Sequence, residues 1–178
     1  MTGWRPGDRR PDRASMLRVD QAGEYGATRI YAGQLAVLRR NCPEAKLIAR
    51  MAAQEERHLK RFNTLVAERR VRPTALQPLW NVAGFALGAA TALMSEKAAL
   101  ACTDAVETEI DRHYASQLAA LGDDDPELSA DIAEFQAEEL EHRDTAREAG
   151  AAQAVGYPLL TAAIRAGCRV AIGLSKRI

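Results

Sequence analysis

Two of the three histidines in this chain stand three residues after a glutamate, in Glu55-Glu56-Arg57-His58 and Glu139-Leu140-Glu141-His142. On a helix, positions i and i+3 share a face, so both side chains of each pair can reach one point. Around Glu55 the same face carries Met51, Ala52, Leu59 and Phe62; around Glu139 it carries Ile132, Phe135 and Ala146. The glutamates therefore interrupt apolar stripes rather than sit on solvated faces. An ionised carboxylate buried without a partner is very costly, which calls for a cation nearby.

The pattern is also duplicated. Glu24 lies 31 residues before Glu55, and Glu107 lies 32 residues before Glu139. A di-iron helical bundle takes one Glu from each of two helices and a Glu-x-x-His from each of the other two. Six candidate ligands result: Glu24, Glu55, His58, Glu107, Glu139 and His142, with Glu55 and Glu139 as the natural bridging pair. Four carboxylates and two imidazoles suit two iron or manganese ions, not structural zinc, which prefers Cys and His. Glu109 rivals Glu107, but Glu107 repeats the spacing better and Glu109 reads as an exposed helix residue. His113 and Tyr114, beyond Glu107, are candidates for a polar relay or a hydrogen-bonding group beside the metals.

The punctuation of the chain predicts only helices. Apolar residues make up 47% but aromatics only 5%, so the core is mostly Ala, Leu, Val and Ile, and so Ala-rich a composition favours helix, where Ala loses no side-chain entropy. Helices are expected from about Asp20 to Arg40, Pro43 to Glu68, Glu96 to Leu121, Asp125 to near Gly150, and Pro158 towards Lys176. Val71 to Pro78 is a connector, and Leu79 to Met94 a short apolar segment. The expected fold is all-α: a ferritin-like four-helix bundle with one long crossover containing that apolar helix, plus a C-terminal amphipathic helix. Residues 1–15 read as a loose basic tail. Residues 16–178 read as a single domain, with duplicated hairpins at about 20–70 and 96–150.

The formal charge is zero, from 24 basic and 24 acidic residues. Met1 to Arg18 holds five Arg against two Asp, and Arg165 to Ile178 holds four basic residues and no acid. Basic ends on an acidic middle do not suit nucleic acid, which wants one basic face; they suit a membrane surface. Val82 to Met94 lacks charge but is shorter than the ~20 residues that span a bilayer. It reads as either a buried crossover helix or an interfacial one. The last helix carries Leu159, Leu160, Val170, Ile172 and Leu174 with Arg165, Arg169, Lys176 and Arg177, a basic amphipathic pattern. Cys42, Cys102 and Cys168 have no disulfide or metal spacing, which points to a reducing compartment, and residues 1–15 have no apolar signal segment.

The runs Arg18-Val19-Asp20-Gln21-Ala22-Gly23-Glu24-Tyr25-Gly26-Ala27, Ile30-Tyr31-Ala32-Gly33-Gln34, Pro78-Leu79-Trp80-Asn81-Val82-Ala83-Gly84-Phe85-Ala86-Leu87-Gly88 and Ala166-Gly167-Cys168-Arg169-Val170-Ala171-Ile172 resemble the demethoxyubiquinone hydroxylase family over nearly everything after residue 15. The resemblance implies an O2-dependent di-iron monooxygenase of ubiquinone biosynthesis, peripheral on a membrane, acting on the ring of a polyprenylated demethoxyquinone. It places the family's iron ligands on the same six residues and matches His113 and Tyr114 to a His-Tyr pair, as catalytic candidates. It implies two irons per chain, NADH as ultimate electron donor and, in eukaryotes, a lipid-binding accessory protein; it leaves a homo-oligomer open. The expected location is the cytoplasmic face of a bacterial inner membrane, or the mitochondrial inner membrane in a eukaryote. The competing reading is a ferritin-like ferroxidase or iron-handling protein, which would assemble into a soluble shell and lack two lipid-seeking segments. A peroxide-handling protein of rubrerythrin type would carry a Cys-x-x-Cys domain, and a metal-free structural bundle would leave the duplicated motif unexplained.

Overall fold

The computed structural model describes residues 12–178, which form six α-helices and no strand. The first, α1 (Arg13–Val37), starts earlier than the sequence suggests: the Asp12 carboxylate accepts the Ser15 N–H at 3.0 Å and caps it. Residues 13–15, expected in the loose tail, are thus its first turn. Leu17 and Val19, both buried, hold that turn against the bundle. The rest of the expected tail, residues 1–11, lies outside the described residues.

The other boundaries follow from local chemistry. α2 (Pro43–Glu68) opens with proline at its first position, where the missing N–H is not needed. α4 (Glu96–Leu121) is capped by the Ser95 hydroxyl and stops at Gly122, whose φ of 51° suits glycine. α5 (Pro126–Glu148) is capped by Asp125. A short 3-10 turn, Ala151–Gln153, precedes α6 (Tyr157–Ser175).

α1 pairs with α2, and α4 with α5, giving two hairpins that face each other. Between them in sequence, α3 (Gln77–Met94) lies along α1 and touches α4; α6 lies along α4 and touches α1. Both extra helices therefore cover the α1/α4 side. The α2/α5 side is laced by ion pairs from Arg57, Arg61 and Arg69 to Glu134, Glu138, Asp131, Asp125 and Glu127. Inside the bundle the apolar core is split. One cluster includes Leu38, Ile48, Met51, Leu100 and Ala146; the other includes Leu17, Phe62, Leu65, Leu128, Ile132 and Phe135. A third cluster, of Ile30, Cys102, Val106 and Ile164, beds α6 against α1 and α4.

The seating of α3 on α1 is backbone against backbone. A Cβ added at Gly33 would lie 2.1 Å from the Phe85 carbonyl oxygen, and one at Gly88 would lie 1.9 Å from the Ile30 carbonyl oxygen. With Gly84, Gly88, Thr91 and Ala92 turned inward, Leu79, Val82, Phe85, Leu93 and Met94 are left exposed. An exposed-helix Gly→Ala change normally stabilises by about 1 kcal/mol. Gly88→Ala is expected to reverse that sign, costing about 1–3 kcal/mol through overpacking, with a lower Tm in a thermal melt. Gly167→Ala on α6, where a Cβ would meet nothing within 4 Å, is expected to be neutral or stabilising. Equal Tm shifts for the two variants would contradict this packing.

Candidate metal centre

The six candidate ligands converge between the two main apolar clusters. Glu24 comes from α1, Glu55 and His58 from α2, Glu107 from α4, and Glu139 and His142 from α5; all are buried. They form two overlapping groups, each with its ligand atoms within 4.8 Å of one another: Glu24, Glu55, His58 and Glu139, and Glu55, Glu107, Glu139 and His142. Glu55 and Glu139 belong to both, as a bridging pair must. Both imidazoles turn Nδ1 inward. His58 Nδ1 lies 3.0 Å from Glu139 Oε1 and 3.5 Å from Glu24 Oε2; His142 Nδ1 lies 3.1 Å from Glu55 Oε1 and 3.2 Å from Glu139 Oε2.

The cluster is short of positive charge. Both Glu55 oxygens, Glu24 Oε2, Glu107 Oε2, Glu139 Oε1 and His58 Nδ1 are buried without a hydrogen-bond partner. Burial, reinforced by neighbouring carboxylates, pushes Glu55 and Glu107 well above the carboxylate range. Burial also raises Glu139, although the neighbouring His58 imidazole opposes it. For His58, burial works downward but is outweighed by Glu139 and Glu24, and its pKa is pushed up to about 10. Burial lowers His142. Two divalent cations would balance four carboxylates and engage the orphaned atoms, and the oxygen-rich, thiolate-free donor set suits iron or manganese. The residues present fit such a pair.

Around these six runs a set of cross-helix hydrogen bonds that mirrors the duplication. Tyr31 donates its hydroxyl to Glu107 Oε1 at 2.8 Å, and Tyr114 donates to Glu24 Oε1. His58 Nε2 donates to Glu138 Oε2 at 2.7 Å, and His142 Nε2 donates to Gln54 Oε1 at 3.0 Å. Of the two expected relay residues, Tyr114 thus reaches a candidate ligand directly. His113 stands off to one side, its Nε2 3.3 Å from Asp20 Oδ1 and 2.9 Å from Gln117 Nε2, and Gln117 donates to Asp20 at 2.7 Å. Tyr31, Gln54, Glu138 and Asp20 were not singled out from sequence. The repeat held a signal for three of them: each tyrosine follows its glutamate by seven residues, and Gln54 and Glu138 each precede the glutamate of a Glu-x-x-His.

Glu109 corrects one expectation. It is not exposed but buried on the α6 side of α4, where its Oε1 accepts hydrogen bonds from Arg112, Arg165 and Arg169. Two of these arginines come from α6, so an acid that looks solvated on its own helix is an anchor for another.

The family described as "Ubiquinone biosynthesis protein COQ7" matches residues 12–175. A 3-demethoxyubiquinol 3-hydroxylase of Rhodospirillum rubrum is 56% identical over 177 residues, 97% of this chain and 82% of the relative. The Homo sapiens NADPH-dependent 3-demethoxyubiquinone 3-hydroxylase, mitochondrial, is 52% identical over 167 residues, 92% of this chain and 76% of the relative. The Saccharomyces cerevisiae 5-demethoxyubiquinone hydroxylase, mitochondrial, is 44% identical, covering 92% of this chain and 77% of the relative.

A metal-free centre should show itself in stability. Carboxylates raised by folding bind more protons folded than unfolded, so their contribution falls as pH climbs from the ordinary value of 4.5 through the raised ones. His58, raised from 6.5 to about 10, acts in the same direction. His142, lowered, acts the other way, losing stability as pH falls through its depressed value, but it is one group against four. Surface carboxylates whose pKa is lowered, Glu127 by hydrogen bonds from Arg61 and Arg69 and Glu44 by a backbone hydrogen bond and then Lys97, are ionised throughout this range. Chelator-treated protein is therefore expected to melt higher at about pH 5.5 than at about pH 8, and anaerobic ferrous ion, replacing those protons, to reverse the order. A chelated protein more stable at the higher pH would contradict this electrostatic picture.

Proposed function

From the premise that this chain belongs to the family of ubiquinone biosynthesis protein COQ7, we propose that it is a monooxygenase that hydroxylates the ring of a polyprenylated demethoxyubiquinol in ubiquinone biosynthesis. The observation that carries the reading is the buried six-residue cluster, Glu24, Glu55, His58, Glu107, Glu139 and His142, at the centre of a bundle whose α1/α4 side is covered by the exposed apolar residues of α3 and α6. Those residues would hold two irons. When bound, the irons supply reductive activation of dioxygen and delivery of one oxygen atom to the ring. Overall, a ring C–H becomes C–OH and the second oxygen leaves as water, which takes two electrons and two protons.

The protein's own part is positional. Burial and hydrogen bonding to Glu107 and Glu24 keep the Tyr31 and Tyr114 hydroxyls protonated, as donors. They fix one oxygen of each carboxylate and leave the other free for metal. The Nε2 hydrogen bonds of His58 and His142 fix the tautomer that presents Nδ1 inward. Phe62 and Phe135, the latter stacked on His58 with ring centroids 4.1 Å apart, help keep water out at one end. His113, Gln117 and Asp20 form a polar relay beside the Glu24–Tyr114 pair, suited to passing protons inward. Ala27, Ile30, Tyr31, Val106, Thr103 and Glu107 line a closed seam between α1 and α4, on the side that α3 and α6 cover.

No described helix is long and apolar enough to cross a membrane. The exposed Leu79, Val82, Phe85 and Leu93 of α3, and Leu159, Val170 and Leu174 of α6, support peripheral seating on a bilayer that holds the substrate. The membrane is the bacterial inner membrane, or the mitochondrial inner membrane in a eukaryote, with any accessory protein or second copy attaching beside it. Electrons come from outside, ultimately from a reduced nicotinamide nucleotide. The human relative is named as NADPH-dependent, and we favour NADPH over NADH for this chain. The soluble shell of an iron-storage protein finds no support in so exposed an apolar face.

Iron-reconstituted protein, given a demethoxyquinol in anionic vesicles under 18O2, is expected to place one labelled oxygen on the ring. Val82→Glu combined with Leu159→Glu is expected to release the protein from the vesicles and reduce turnover at least ~10-fold without lowering Tm, since exposed substitutions cost little stability. Label arriving from water, or no hydroxylated ring, would overturn the assignment.

A further inference from the structure

The hydrogen bonds behind the candidate ligands are matched in geometry between the two halves but not in charge. Tyr31 on Glu107 answers Tyr114 on Glu24, tyrosine for tyrosine. His58 Nε2 donates to a carboxylate, Glu138; His142 Nε2 donates to an amide, Gln54. Both acceptors sit at the same place in the repeat, immediately before the glutamate of the opposing Glu-x-x-His. The contact to the carboxylate is the shorter, 2.7 Å against 3.0 Å, as befits a charge-assisted hydrogen bond. Arg57 also donates to Glu138, and reaches Glu134 as well. It therefore holds Glu138 in place as an ionised acceptor beside His58. At the corresponding point of the other half the chain has Glu141, which is exposed and brings no cation to Gln54.

An imidazole that gives its outer N–H to a carboxylate is a stronger donor through its inner nitrogen than one that gives it to an amide. We propose that Gln54 and Glu138 are positioning residues that make the two metal positions unequal: the position on Glu24 and His58 fills first and holds its ion more tightly, and the position on Glu107 and His142 fills second and holds the more weakly bound, more electron-poor ion. The inference rests on the two-metal reading above and adds an order and a polarity to it. The weaker position is the one at the closed seam between α1 and α4 lined by Tyr31, Thr103 and Glu107.

Anaerobic calorimetric titration of chelator-stripped protein with ferrous ion reads this without any turnover. Wild type is expected to bind in two steps whose Kd values differ about 10–100-fold, the usual range for an outer-shell change. Glu138→Gln should weaken the tight step by that factor and merge the two. Gln54→Glu should tighten the weak step and also bring the two together, from the other direction. Thermal melts of the stripped variants check that they fold; the Glu138 side chain is 21% exposed, so its amide replacement leaves the core intact. Two equal steps in wild type, or unchanged affinities in Glu138→Gln, would overturn the inequivalence while leaving a two-metal centre standing. No uptake by wild type would overturn the centre and the inference together.

Discussion

Four carboxylates share one dry layer in the middle of this bundle, and everything else in the structure is arranged around that fact. Ionised and unpartnered, each would cost several kcal/mol in lost hydration, with mutual repulsion on top. The chain meets the problem with symmetry. Two hairpins of like design each bring one single glutamate and one Glu-x-x-His to the same level, and apolar clusters seal the layer above and below. The unpaired oxygens that remain are aimed inward, where a pair of divalent ions would turn repulsion into cohesion.

The same constraint explains why the outer helices lie where they do. The α2/α5 side is closed by ion pairs, which tie charged helices together in water. The α1/α4 side is instead covered by α3 and α6. Glycines let α3 press its backbone onto α1, and Glu109 holds the arginines of α6. Both devices leave apolar residues facing outward. A site that must exclude water yet admit a lipid-tailed ring gains from a wall that is oily on both sides.

The convergence of the six candidate ligands was legible from sequence because helical spacing alone puts Glu55 with His58 and Glu139 with His142, and because the 31–32 residue repeat supplies Glu24 and Glu107. Helices α2, α4 and α5 were legible through Pro43, Gly122 and Pro126, residues whose backbone chemistry starts or stops a helix. The start of α1 was not. Asp12 sits in an arginine-rich stretch that resembles a tail, and only Leu17, buried by residues more than 40 positions away, shows that it is helix. Glu109 misled, and Tyr31 was passed over, for a related reason. Each owes its environment to a partner on another helix, Arg165 and Arg169 for one and Glu107 for the other, and intrahelical periodicity carries no information about that. The whole outer ring of hydrogen bonds, Gln54 and Glu138 included, belongs to this class.

The most direct measurement is metal content. Protein purified in detergent, reconstituted anaerobically with ferrous iron and freed of excess, should contain about two irons per chain, and a Glu139→Ala, His142→Ala variant that still folds should lose them. Two irons in the wild type and their loss in the variant is the result predicted here. A wild type that retains none, or a variant that retains as much as wild type, would contradict it.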